Sequence, residues 1–247
     1  MRICLALISF ILVPTLMSQE PAKTPEPTPD SPYVEREERQ FNFFPGGKIA
    51  ISLEVPGSLK VVGWQKGSVR IEAEKIVYYG TEESAKAFLK KSPIRLRYTQ
   101  TGSTLQVTGV PEPPAILEVN LTVYLPGEKT DVVAKIDKGE FSITNVNGWV
   151  ETTIKEGSLE AKSMSGYFSG RILRGDILVD MTNDRWNGLE FAAATYQGSA
   201  TLLLPEKYSA ALQLETRNGK ITVDYPPRVL REKKYRPKLS SRKQPNH

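Results

Sequence analysis

Cysteine and histidine, the residues that most often serve as nucleophiles, general bases and metal ligands, are almost absent from this chain. Its one cysteine, Cys4, lies within an apolar N-terminal stretch, and its one histidine, His247, is the last residue. The chain after that stretch therefore has no disulfides, cysteine–metal sites or cysteine nucleophiles. We expect a protein that is not an enzyme, with no catalytic residues, no cofactor and no metal ion.

A long apolar run of the kind that spans a bilayer is also missing. The longest one, residues 3–16, falls short of the roughly 20 residues that a spanning helix needs. It follows Met1-Arg2, and the small Ser18 precedes the polar Gln19, which is the layout of a secretory signal peptide. We predict a signal peptide over residues 1–18 and export to the periplasm or the cell surface, with an uncleaved anchor as the alternative.

Two flanking segments differ in composition from the rest of the chain. Residues 19–32 contain five prolines in fourteen positions, which favours an extended spacer, and we place a proline-rich linker at 19–40. Residues 228–247 carry eight Lys and Arg against one Glu, although the whole chain has a net charge of only +5. We predict a basic, disordered tail there, so the basic character does not belong to the folded domain, which we place at 41–227.

The domain is predicted to be mostly β, with one helix. Short segments alternate apolar and polar residues, as half-buried strands do, at 49–55, 94–98, 104–108 and 117–125. Residues 82–91 are the exception: Thr81 can cap them, acidic residues come first and lysines last, and Pro93 follows. This pattern predicts a short capping helix at 82–91.

Glycines recur every nine residues in the middle of the domain, at 139, 148, 157, 166 and 175. The second residue after each glycine is always apolar, and the fourth is apolar or small. Each unit therefore predicts a short strand with one buried face, followed by a turn at the next glycine. The residues expected to form the interior in successive layers are Phe141, Val150, Leu159, Phe168 and Ile177.

Two arrangements fit this repeat. Two units can form one eighteen-residue coil of a β-solenoid, a parallel β-helix-like stack of short strands. Alternatively, each unit is one limb of an antiparallel meander, which prefers tight Asn-Gly turns. Only Asn147-Gly148 and Asn218-Gly219 provide such turns, so the all-β solenoid is the favoured fold.

The chain resembles the bacterial putative-adhesin family of exported β-solenoid domains. The matching segments are GSLKVVGWQKGSVRIEAEK (57–75), LEVNLTVYLPG (117–127), the glycine-spaced units from Gly139, and GSATLLLPEKYSAALQLETRNGKITVDYP (198–226). The resemblance implies the fold and a place in the cell envelope. It brings no catalytic residues with it, and fold alone does not give function.

Surface contacts are expected in two places. The loop 181–187 interrupts the nine-residue spacing and carries Arg185 and Trp186, residue types favoured in binding sites on loops. The basic tail, with Arg231, Lys233, Lys234 and Arg236, suits anionic lipid or phosphorylated glycan. Three further aromatic residues flank turn glycines and form either a surface strip or rim packing: Trp64, Trp149 and Tyr167.

Acidic residues offer two weaker possibilities. Calcium would need converging oxygens from Asp176, Asp180, Asn183 and Asp184, but no Asp recurs at nine-residue steps, so solvated turn carboxylates are favoured. Glycan cleavage would need a pair such as Glu151 and Glu160, which the solenoid places on opposite sheets.

Three functions are therefore weighed. The favoured one is a non-enzymatic, adhesin-like binding module of the cell envelope that presents a rigid β surface to a glycan, a lipid surface or a protein. The alternative is a structural or signalling accessory that assembles with a membrane partner, with edge-to-edge self-association possible. The outsider is a carbohydrate-active enzyme on a β-helix. Nucleic acid is not an expected partner of an exported protein.

Overall fold

The computed structural model describes residues 32–44, 46–78, 80–92, 94–99, 102–107, 116–181, 188, 190–205, 213, 215 and 220–222. The predicted signal peptide and basic tail lie outside these residues. No helix in this described part is both long and apolar enough to cross a bilayer.

The described chain is mostly β, with a single helix, as the sequence predicted. In chain order the elements are β1 (Tyr33–Asn42), β2 (Lys48–Leu53), β3 (Gly57–Trp64), β4 (Ser68–Tyr78), α1 (Glu82–Lys91), β5 (Ile94–Tyr98), β6 (Gly102–Val107), β7 (Ile116–Pro126), β8 (Asp131–Thr144), β9 (Asn147–Lys162), β10 (Ser165–Asp180), β11 (Glu190–Gln197) and β12 (Ala200–Leu203).

All twelve strands belong to one mixed, curled sheet. β8, β9 and β10 each contain a glycine with a φ between +135° and +144°, and this glycine marks the boundary between the two sides of the curl. β8 changes its partner from β2 to β3 there and β10 from β11 to β12, whereas β9 pairs with β8 and β10 on both sides of Gly157. Residues before the glycine join wing one, which contains β2, β5, β6 and β11. Residues after it join wing two, which contains β1, β3, β4, β7 and β12.

The nine-residue units pair as parallel strands, and not as a meander. Gly139 of β8 pairs with Gly157 of β9, and Gly157 pairs with Gly175 of β10, so each strand is offset from the next by eighteen residues. Each eighteen-residue stretch therefore contributes one segment to each wing. The predicted antiparallel alternative is wrong for this part of the chain.

A parallel stack throughout the domain is not confirmed. β4 runs antiparallel to both β1 and β7, and β5 runs antiparallel to β6. These strands precede the glycine-spaced units, and α1 lies between β4 and β5. The nine-residue pattern therefore predicts pairing only where it is present, and the sheet as a whole is mixed.

The interior predicted from the glycine spacing is confirmed. Phe141, Val150, Leu159, Phe168 and Ile177 all have exposed fractions of 0–1%, and they belong to one continuous hydrophobic core. Because side chains alternate sides along a strand, the residues between them face outward. The two wings thus share one core on the inner side of the curl, and their outer sides are available for contact.

The helix α1 forms with the predicted bounds. The Thr81 hydroxyl accepts a hydrogen bond from the Ser84 backbone N–H, which satisfies one of the free donors of the first turn. Ala85, Phe88 and Leu89 lie on one face and are buried in the core. An ion pair between Glu82 and Lys86 on the exposed side raises the pKa of Lys86.

The folded region starts earlier than the sequence suggested, because residues 33–40 of the predicted linker belong to β1. This strand is rich in Glu and Arg, so its own residues give no apolar alternation. It is held instead by antiparallel pairing with β4 and by Lys75, whose Nζ lies 2.9 Å from Glu35 Oε1 and 3.3 Å from Glu37 Oε2. Lys75 is only 4% exposed, so it depends on those two carboxylates.

Replacing both carboxylates (Glu35→Gln with Glu37→Gln) should lower the free energy of unfolding by about 2 kcal/mol, because the Lys75 ammonium would stay buried without a counter-charge. The loss stays below the value for a fully buried pair because both glutamates are partly exposed. Urea unfolding measures it. Adding Lys75→Met to the double variant should restore most of the stability.

The matched control is the exposed pair between Arg36 and Glu74, which links the same two strands. Its disruption by Glu74→Gln should cost less than about 0.5 kcal/mol. Equal losses from the two ion pairs, or no recovery with Lys75→Met, would contradict this explanation of how β1 is held.

Candidate outer-face site

The contact residues proposed from the sequence divide into described and undescribed groups. Arg185 and Trp186 lie outside the described residues, as do Arg231, Lys233, Lys234 and Arg236. Trp64, Trp149 and Tyr167 are described, and the structure separates them. Trp149 and Tyr167 lie together on wing one, whereas Trp64 lies on wing two.

Trp149 and Tyr167 form a stacked pair on the outer side of wing one. The parallel register of β9 and β10 places them side by side, and their ring centroids are 3.8 Å apart with an interplanar angle of 18°. The residues that follow each of them, Val150 and Phe168, point inward and are fully buried. Trp149 remains 45% exposed, which is a large apolar area to leave in water.

Two carboxylates hold Trp149 in place. Its backbone N–H donates to Asp131 Oδ1 of β8 at 2.9 Å, and its indole N–H donates to Glu151 Oε1 at 2.7 Å. With its indole hydrogen-bonded and stacked on Tyr167, Trp149 has little rotamer freedom left to lose on binding a ligand. We call the group Asp131, Trp149, Glu151 and Tyr167 the aromatic platform.

A charge ladder crosses the same three strands close to the wing boundary. Glu156 of β9 lies between Arg174 of β10, at 3.1 Å, and Lys138 of β8, at 3.9 Å. The hydrogen bond from Arg174, together with the positive charge of Lys138, lowers the pKa of Glu156. Glu156 therefore stays ionised to lower pH than a free glutamate, and any contribution of the ladder is lost only as the pH falls through that lowered pKa.

Trp64 belongs to a second, basic aromatic cluster on wing two. Its ring stacks on Tyr124 with centroids 5.3 Å apart, and the Arg70 guanidinium carbon lies 4.4 Å from the Tyr124 centroid. Lys66 Nζ lies 4.8 Å from the Trp64 centroid. The Trp64 indole N–H donates to the Ser68 carbonyl, so this ring is packed against the connection between β3 and β4. Of the two alternatives for the three aromatic residues, a single surface strip is therefore wrong, and Trp64 fits the rim packing.

The acidic pairs considered from the sequence have separate partners. Glu151 accepts the Trp149 indole N–H, and Glu160 forms an ion pair with Lys162 that raises the pKa of that lysine. Asp176 Oδ1 accepts the backbone N–H of Ser199. Among the described residues, no three His, Cys, Asp or Glu side chains are grouped to hold a metal ion, and Asn183 and Asp184 lie outside them.

Sequence reasoning missed two aromatic contacts. Tyr124 was not singled out beside Trp64, and Phe41 of β1 stacks on Tyr98 of β5 at a centroid distance of 4.3 Å. Both pairs join strands far apart in the chain. No local pattern signals them, because they depend on which strands become neighbours when the sheet curls.

Comparison with known proteins gives structural neighbours alone. No protein-family model matches the chain, and no curated protein matches it. A putative cell adhesion protein from Clostridium sporogenes is 12% identical, with a TM-score of 0.45, and the match covers 69% of this chain and 100% of that one.

Two further neighbours come from Parabacteroides distasonis. A putative adhesin is 7% identical with a TM-score of 0.27, and the match covers 71% of this chain and 80% of that one. A putative lipid binding protein is 9% identical with a TM-score of 0.21, and the match covers 68% of this chain and 78% of that one. Structures with putative-adhesin names are thus among the neighbours.

Proposed function

We propose that this protein is a non-enzymatic binding module of the bacterial cell envelope, and that it contacts its ligand through the aromatic platform. The observation that carries the proposal is the exposed, stacked and hydrogen-bonded pair of Trp149 and Tyr167. Aromatic side chains fixed in this way are the residues that most often dominate binding energy at an interface. The Glu151 carboxylate, which accepts the Trp149 indole N–H, positions the ring and has no catalytic role in this proposal.

The chemistry of the platform favours a glycan over an anionic lipid. Asp131 and Glu151 place negative charge directly beside the rings, which disfavours phosphate headgroups there, while the cations Lys135 and Arg171 lie further along the strands, beside Thr153. Thr153 and Ser169 pair, respectively, with Arg171 and Glu151 across β9 and β10, and they provide hydroxyl donors and acceptors on the same outer side. Sugar rings combine C–H faces, which pack on aromatic rings, with hydroxyls that need such partners.

The proposed place of the protein follows from the segments around the domain. A signal peptide at 1–18 would export it, and the proline-rich residues 19–32 would hold the domain away from its N-terminus. We infer that the eighteen-residue coils of β8, β9 and β10 form a solenoid, whose stacked segments make the outer side of wing one a firm, nearly continuous surface.

The proposal is tested by co-sedimentation with purified, insoluble peptidoglycan. The double variant Trp149→Ala/Tyr167→Ala should bind about tenfold or more weakly than the wild type, because it removes both rings of the platform. Its thermal unfolding midpoint should change little, since the removed rings lie on the outer side.

Tyr196→Ala provides the matched control. Tyr196 of β11 is 73% exposed and lies on the same wing, but it has no stacking partner among the described residues. This variant should bind as the wild type does. A platform variant that is folded and binds as tightly as Tyr196→Ala would refute the proposed contact.

A further inference from the structure

The two ends of the curled sheet meet at a seam across which the described residues form no strand pairing. β1 and β5 are the terminal strands of the strand order, and within the described residues β1 pairs only with β4, and β5 only with β6. What joins the two ends is the stack of Phe41 on Tyr98, with ring centroids 4.3 Å apart and an interplanar angle of 19°. The seam therefore leaves room for a cleft beside these rings.

This seam cleft is small, and the described residues that line it carry no charge. Its volume is about 390 Å³, near the lower end of the roughly 300–1,000 Å³ of ligand pockets. Such a volume suits one or two small rings. Its lining residues are Gln40, Phe41, Asn42, Tyr98 and Thr99.

Tyr98 gives the cleft an open aromatic surface. Tyr98 is 58% exposed, whereas Phe41, on which it stacks, is 7% exposed. Beside Tyr98, the Thr99 hydroxyl accepts from the Gly102 N–H and donates to the Gly102 carbonyl, both at 3.0 Å. Tyr98 is held by its stack on Phe41, and it needs little reorganisation to receive a ligand.

Two of the residues that line the cleft, Asn42 and Gln40, carry uncharged amides. The Asn42 side chain has no hydrogen-bond partner among the described residues, and Gln40 has only a long contact of 3.5 Å to the Ser68 hydroxyl. Each amide offers two N–H donors and one carbonyl acceptor. A ligand that carries several hydroxyl or acetamido groups can use both capacities, whereas an anion can use only the donors and meets no cation among the described lining residues.

We propose that the seam cleft binds a single neutral sugar unit, with one face of the ring on Tyr98 and its hydroxyl or acetamido groups on Asn42 and Gln40. This inference rests on the proposed function in one respect, because both take the ligand to be a glycan. The cleft is an open groove with room for a small ligand, whereas the aromatic platform lies on an extended face that suits a stretch of polymer. A soluble disaccharide therefore separates the two sites.

The experiment is saturation-transfer difference NMR of the full chain with N,N′-diacetylchitobiose, an uncharged N-acetylated disaccharide. The wild type should give saturation-transfer signals from the sugar ring and acetyl protons. Tyr98→Ala should reduce the affinity about tenfold or more, and Asn42→Ala should reduce it by a smaller factor. Tyr98→Phe should keep most of the binding, because it retains the stacked ring.

Tyr78→Ala is the control, since Tyr78 is an exposed strand-end tyrosine outside the cleft. Circular dichroism establishes that each variant is folded. Signals that are lost in Tyr98→Ala and kept in Tyr78→Ala support the proposal. No signal with the wild type, or unchanged signals in Tyr98→Ala, would overturn it.

The platform variant Trp149→Ala/Tyr167→Ala should retain disaccharide binding, because its substitutions leave the cleft lining intact. If the disaccharide does not bind at the cleft but peptidoglycan binding still depends on the platform, this inference is wrong and the proposed function stands. If the disaccharide binds at the cleft but peptidoglycan binding does not depend on the platform, the proposed function is wrong and this inference stands.

Discussion

Replacing Gly157 with alanine is expected to lower the free energy of unfolding by at least about 4 kcal/mol, close to the whole stability of many domains. An added Cβ would lie 1.8 Å from the Gly139 carbonyl oxygen of the neighbouring strand, and the residue has a φ of +142°. The clash is with backbone, so no side-chain rotation relieves it. Urea unfolding monitored by circular dichroism measures the loss.

Two other glycines separate the clash from the backbone strain. Gly46 has a φ of +91° with open space around it, so Gly46→Ala should cost only the strain of about 1–2 kcal/mol. At Gly67 the nearest atom to an added Cβ is 3.9 Å away, and alanine should change the stability by less than about 0.5 kcal/mol. A loss of unfolding free energy for Gly157→Ala that is no larger than the loss for Gly46→Ala would contradict the close approach of Gly157 to Gly139 on the neighbouring strand.

Replacing Phe168 with alanine is expected to cost about 3–5 kcal/mol, the range for truncating a buried aromatic ring. Phe168 is 0% exposed and lies between Val150 of β9 and Phe191 of β11 in the parallel register. Its ring stacks on Phe191 with centroids 4.9 Å apart. The cavity would sit between successive layers, and the surrounding strands are too firmly paired to collapse into it.

Leu173 is the matched control on the same strand. Its side chain is exposed, so Leu173→Ala should change the free energy of unfolding by less than about 0.5 kcal/mol. The comparison uses the same unfolding assay. Similar losses at Phe168 and Leu173 would mean that the inner and outer sides of β10 have been exchanged.

The sequence predicted the inner side of β8, β9 and β10 because two regularities coincide there. Side chains alternate sides along a strand, and the second residue after each of the evenly spaced glycines faces the same side in every unit. Phe141 and Phe168 could thus be assigned to the core without knowing which strands pair. The helix at 82–91 was also predictable, because its cap, its charges and its apolar face are all local.

The remaining features depend on contacts between distant parts of the chain. β1 looks like a charged linker until Lys75 of β4 is placed opposite Glu35 and Glu37. The stack of Phe41 on Tyr98 requires the two ends of the sheet to meet. In the aromatic platform, the two rings of Trp149 and Tyr167 were visible from the sequence as aromatic neighbours of turn glycines, whereas the role of Asp131 was not. Their side-by-side position became visible only with the eighteen-residue register.

Hydroxyl-radical footprinting tests the central claim, that function lies in the outer side of wing one, most directly. Radical oxidation of exposed aromatic side chains is quantified by mass spectrometry, with and without saturating peptidoglycan. We predict that oxidation of Trp149 falls on binding while oxidation of the exposed Tyr196 is unchanged. Oxidation of Trp149 that stays at its free level when the protein is fully bound would contradict the account.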